Sequence, residues 1–132
     1  YGVTKEEIIE QGKRWDLQPV NVDERAAEVS IFGGLVASSA HLFSIAVWFG
    51  SKFPEEWAAV SALGFDQVKL HVPVRPGDVL TYRARCVGMR PSNSRPGCGI
   101  VEYRGEVLNQ NGEVVFSYVS AALHAMRDAE KI

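Results

Sequence analysis

Asp16 and Asn21 lie five residues apart with Pro19 between them. A proline fixes the local backbone, so an acid and a second polar side chain at this spacing share one short loop. That is an arrangement suited to a buried acid/base pair. Asp16 can exchange a proton through its carboxyl group. Asn21 cannot, because its amide donates and accepts hydrogen bonds but holds no proton that titrates near neutral pH. The chemistry within reach is water activation by one carboxylate, beside an amide that orients rather than shuttles. A structural reading stands next to it: Asp16 as a turn acid satisfied by backbone N–H groups, and Asn21 as a brace for the loop.

The other candidate groups are dispersed. His41, His71 and His124 are far apart and form no zinc-type spacing, so no metal is expected. His71, beside Lys69, is expected on a solvated strand face, and His124 has no obvious partner. Cys86 and Cys98 are too few for a disulfide framework and read as reduced thiols of a cytoplasmic protein. Arg83, Arg85, Arg90, Arg95 and Arg104 recur through the second half; Arg83 and Arg85 share a strand face by alternation, and a solvated sheet surface is their ordinary explanation. Trp15, Trp48 and Trp57 are expected to fill core or interface.

At 132 residues, 46% apolar and 23% charged, the chain reads as one ordinary globular domain over residues 1–132. A net charge of −2 argues against nucleic acid as the main partner. No apolar run is long enough for a transmembrane helix. The chain opens at Tyr1 without an initiator Met or a signal-peptide pattern, as a trimmed chain would.

The elements that must position Asp16 and Asn21 are legible as two halves. Thr4-Lys5-Glu6-Glu7 fits a capping box that opens a helix to about Arg14. Asp16 to Val22 is predicted as a loop, and Asp23 as the cap of a short helix through Ala26 and Ala27. Leu35 to Phe49 is apolar almost all round apart from His41, the pattern of a helix buried on most faces. Val60 to Val72, Val79 to Arg90, Gly99 to Asn109 and Glu113 to Ala125 are strand-length runs that would wrap it. Val68, Leu70 and Val72 alternate with Lys69 and His71 as in a half-buried strand. Arg75-Pro76-Gly77-Asp78 and Asn111-Gly112 signal turns, and Arg90 to Gly97 a long loop. Strands without intervening helices predict an antiparallel sheet and the α+β class.

Together these segments resemble the MaoC-like branch of the hot-dog superfamily, which includes (R)-specific enoyl-CoA hydratases and related acyl dehydratases. Asp16-Leu17-Gln18-Pro19-Val20-Asn21-Val22-Asp23 is similar to the family signature D-x-N/Q-P-x-H-x-D. Phe32-Gly33-Gly34-Leu35-Val36-Ala37-Ser38 is similar to its entry into the central helix, and Pro73 to Asp78 and Asn109 to Glu113 to its later turns. The resemblance implies a sheet wrapped around a long central helix, and a homodimer or higher homo-oligomer. It also implies reversible syn addition of water to a 2-enoyl thioester, carried by coenzyme A or an acyl carrier protein, without a cofactor. By position Asp16 matches the family aspartate and Asn21 its histidine. The backbone N–H of Ser39 matches the oxyanion donor, usually a glycine's, and Gln18, Gly33 and Gly34 fall at substrate-binding positions.

His41, two residues beyond Ser39, lies roughly 200° further round the helix and should face away from that donor. It is expected as a buried or interface histidine. Coenzyme A phosphates would need arginines such as those of the sheet half. Two other functions fit the same fold. One is a non-catalytic acyl-thioester binder or assembly partner. The other is a thioesterase, in which a single carboxylate activates water.

Overall fold

The computed structural model describes residues 1–52 and 59–125. Four helices, α1 (Lys5–Trp15), α2 (Pro19–Val22), α3 (Glu24–Glu28) and α4 (Ser39–Gly50), precede four strands, β1 (Ala59–Leu70), β2 (Thr81–Pro91), β3 (Cys98–Leu108) and β4 (Val114–Ala125). Among the described residues the strands form one antiparallel sheet in the order β1-β4-β3-β2. This is the α+β arrangement read from the sequence.

Local chemistry sets the helix ends. Thr4 Oγ1 accepts from the Glu7 N–H at 3.2 Å, which is half of a capping box. The Glu7 carboxylate does not return to Thr4; it turns inward to the Tyr1 hydroxyl and to His41 Nε2, 2.7 Å away. Pro19, expected to hold an irregular loop, opens the one-turn helix α2 instead. Its missing N–H costs nothing at a first helical position. Asp23 caps α3 as predicted, Oδ1 accepting from the N–H groups of Arg25 and Ala26 at 3.0 and 3.1 Å.

The central helix starts later than its apolar pattern suggested. Ser38 Oγ accepts from the His41 N–H at 3.1 Å and begins α4 at Ser39. Residues 35–37 form an extended lead-in, tied on one side by Val36 N–H to Val20 C=O (3.1 Å) and on the other by Ala37 N–H to Val74 C=O (2.9 Å). α4 then lies across the sheet. Phe43 meets Phe65 of β1 and Phe116 of β4 edge-on, at ring separations of 4.9 and 5.9 Å. Phe49 stacks on Tyr82 of β2 at 5.4 Å. One helix therefore reaches three strands, and Leu42, Ile45 and Ala46 are buried with Val107, Val115 and Phe116. The burial is one-sided: Val47 and Trp48 are exposed, and so is Trp15, which fills no core. Trp57 lies outside the described residues.

Gly105 lets β3 and β4 close up, since a Cβ there would sit 2.5 Å from the Tyr118 ring. Gly112 turns β3 into β4 at φ 77°, where the sequence placed its hairpin. The predicted alternation in β1 fails. Gln67 has φ 49° and the register slips between Asp66 and Lys69, so Val68 and Leu70 remain 42% and 55% exposed. β1 is an edge strand, with β4 on one side only among the described residues.

Candidate functional site

Asp16 caps the C-terminus of α1, its N–H donating to Gly12 C=O at 2.8 Å. Its Oδ1 accepts from the Gln18 N–H at 3.3 Å. The turn-acid reading is thus met by one long bond, and among the described residues the second carboxylate oxygen has no hydrogen bond. Gln18, exposed, is the N-cap of α2 but makes no side-chain capping bond.

Asn21 is buried against Gly12, where a Cβ would fall 3.0 Å from Asn21 Cβ and 2.8 Å from Val22 Cγ1. Only a glycine lets α2 cross α1 this closely. The Asn21 amide has no hydrogen-bond partner among the described residues, yet neither of its polar atoms is sealed from solvent-accessible space. At 4% exposure Asn21 presents little of its side chain to solvent. No hydrogen bond joins Asp16 to Asn21 among the described residues.

Ser39 is the first residue of α4. A helix leaves its first N–H groups without internal partners. Ser38 takes that of His41, and among the described residues no acceptor is bonded to the N–H of Ser39. The positive end of the helix dipole lies there. The Val36–Val20 bond connects the lead-in of α4 directly to α2, so the Asn21 helix and the Ser39 terminus belong to one backbone-linked unit. Gly33, at φ 67°, and Gly34, beside Arg75, form the turn before that lead-in.

Two of the cavities that flank α4 lie near its two ends. One of about 310 Å³ near its N-terminus is lined by Phe32, Val36, Ala37, Leu42 and residues 70–74. His71 is exposed, as expected of a solvated face, and also lines this cavity; its Nε2 lies 2.7 Å from the Oγ of the fully buried Ser117. The other, about 260 Å³, lies beneath the C-terminal half, lined by Val47, Gly50, Phe65, Tyr82, Tyr118 and small residues of β4. The hydroxyls of Tyr82 and Tyr118 are hydrogen-bonded at 2.5 Å, and burial pushes both phenols up, so they stay neutral. Asp16, Gln18, Asn21, Gly33, Gly34 and Ser39 line neither cavity.

The two phenols and Ser117 escaped the sequence reading. For Tyr82 a signal existed: it shares strand parity with Ala84, opposite to the exposed Arg83 and Arg85. His41 sits away from Ser39 as its helical offset predicted, buried against Glu7, with Nδ1 enclosed and unpartnered among the described residues. His124 is bonded to the Tyr103 hydroxyl, and burial lowers its pKa. Among the described residues no cluster of His, Cys, Asp or Glu could hold a metal ion, and no helix is long and apolar enough to cross a membrane.

Comparison with known proteins gives the family and the fold. The family model described as MaoC like domain matches residues 3–107. A MaoC-like dehydratase from Rhodospirillum rubrum is 32% identical and superposes with a TM-score of 0.87, over 96% of this chain and 87% of that one. The unliganded R-hydratase of Pseudomonas aeruginosa shares the fold at 17% identity, with a TM-score of 0.78 over 96% of this chain and 77% of its own. A mesaconyl-CoA hydratase from Cereibacter sphaeroides is 37% identical over 81 residues, 61% of this chain. The chain spans only 23% of that relative's length.

Proposed function

Because the chain belongs to the MaoC-like domain family, we propose that it adds water reversibly across the double bond of a 2-enoyl thioester, with Asp16 as its proton-transfer group. The observation that carries this reading is the unspent N–H of Ser39, joined through the Val36–Val20 bond to the helix bearing Asn21. A mesaconyl-CoA hydratase among the relatives supports a CoA thioester as substrate. A thioester on an acyl carrier protein has the same reacting atoms.

The thioester oxygen would accept from the Ser39 N–H at the positive end of α4, which stabilises charge as it develops there. Water oxygen bonds to C3 while the Asp16 carboxylate takes its proton. The π electrons move toward the thioester, leaving an enolate whose oxygen is held by Ser39. Protonated Asp16 then returns the proton to C2 on the same face. Asn21 orients the water but cannot share the proton, so one carboxylate serves both steps.

Positioned acid/base groups contribute about 10²–10⁴ in rate, and an imidazole at position 21 should recover part of that. Loss of the conjugated thioester absorbance should be faster with Asn21→His than with wild type, by roughly tenfold or more. A folded Asn21→His protein that is no faster would remove position 21 from the chemistry.

The unpaired edge of β1, with Leu63, Phe65, Val68 and Leu70 between 42% and 55% exposed, fits pairing with a second copy. Analytical ultracentrifugation should give a dimer; a stable monomer would contradict this. The lone carboxylate also favours a second reading, hydrolysis of the thioester by water activated at Asp16.

A further inference from the structure

We propose that the outward face of β2 and β3 carries a binding site for a phosphate monoester or diphosphate, built from Arg83, Arg85 and Arg104. Strand register sets Arg83 opposite Glu106 and Arg85 opposite Arg104. Residues two apart on a strand share a face, so all four side chains project from one patch. Like charges directly opposite one another destabilise a sheet, and here two guanidinium groups are held in that relation.

The counter-charge present is insufficient. Glu106 Oε1 lies 2.8 Å from Arg83 Nε, and its Oε2 lies 3.8 Å from Arg104 Nε. One carboxylate thus serves two arginines, and Arg85 has no ion pair among the described residues. Along the same rows β4 contributes Val119 and Ser117, and β1 adds Lys69 and, beyond Val119, Asp66. Two strand spacings put Asp66 about 9–10 Å from Arg104. Elsewhere on these two strands the chain does pair its charges: Arg90 Nη1 lies 2.8 Å from Glu102 Oε1.

The residues enclose a groove of about 390 Å³ lined by Arg83, Ala84, Arg85, Arg104 and Glu106. Guanidinium forks match phosphate oxygens two at a time, and a dianion between Arg85 and Arg104 would convert their repulsion into attraction. Among the described residues β2 is an edge strand, and Ala84 borders both this groove and the cavity beneath α4. A thioester carrier passing round that edge would bring its phosphates here. The site would remain if the acyl chemistry proposed above proved wrong.

The test is a thermal-shift and calorimetric titration with sodium diphosphate and orthophosphate at constant ionic strength, with chloride as the reference. Wild type should gain thermal stability with the phosphates and not with chloride. Arg85→Gln should start at a higher midpoint without anion, since the repulsion is gone, and should bind diphosphate roughly tenfold or more weakly. Arg90→Gln, outside the groove, should respond like wild type. If Arg85→Gln does not fold, Arg104→Gln takes its place. Coenzyme A competing at lower concentration than diphosphate would assign the site to a carrier; the reverse order would assign it to a free anion. A wild-type response to diphosphate no larger than that to chloride would overturn the site, as would an Arg85→Gln protein that binds like wild type.

Discussion

Asp16→Ala is expected to slow water addition to a 2-enoyl thioester about 10²–10⁴-fold, the contribution typical of a positioned acid/base group, while leaving the fold nearly as stable as before. The two halves of this expectation rest on the same geometry. Among the described residues the Asp16 carboxylate makes one hydrogen bond, to the Gln18 N–H at 3.3 Å, on the exposed side of the turn. Losing such a bond costs no more than about 1 kcal/mol. A residue whose structural duty is this small but whose removal stops turnover is acting on the substrate. Steady-state rates and thermal midpoints measured on the same preparations separate the cases. Unchanged turnover would return Asp16 to the role of a turn acid.

The largest stability effect is expected at Phe116→Ala. Phe116 is 1% exposed in β4, and its ring meets Phe43 of α4 edge-on. The same helix residue contacts Phe65 of β1, so one aromatic group on α4 ties two strands to the helix. Truncating a buried phenylalanine costs about 3–5 kcal/mol through lost transfer energy and the cavity left behind. For a domain of this size that is a fall in midpoint on the order of 10–20 °C, readable by circular dichroism. A fall of only a few degrees would mean that the helix–sheet contact collapses around the gap and does not hold α4 in place.

Much of the fold could be read before any coordinates because its signals are local. Thr4 and Asp23 cap helices through their own side chains, Asn111-Gly112 makes its turn through φ 77° at Gly112, and the four strands lie in the runs rich in Val, Tyr, Leu and Phe. What was misread depended on competition between neighbours. The apolar run from Leu35 says helix, but Ser38 captures the His41 N–H and starts the helix at Ser39. Pro19 says loop, but at a first helical position it opens α2. The alternation of Val68 and Leu70 says half-buried, but a bulge at Gln67 and an unpaired edge leave both exposed.

The candidate site divides in the same way. Asp16 and Asn21 stood out by spacing and by resemblance to a family signature. The burial of Asn21 and the long-range link from Val36 to Val20 carried no local signal. Nor did the facing of Arg85 and Arg104, which requires the register of two strands nineteen positions apart in the chain.

The most direct test of the proposed chemistry is to incubate the wild-type protein with a short 2-enoyl-CoA and identify the product by mass. Water addition predicts a 3-hydroxyacyl-CoA, heavier than the substrate by one water, with the thioester intact and no free thiol. Release of coenzyme A with the free enoic acid would contradict it and establish hydrolysis at the thioester, and recovery of unchanged substrate would contradict both.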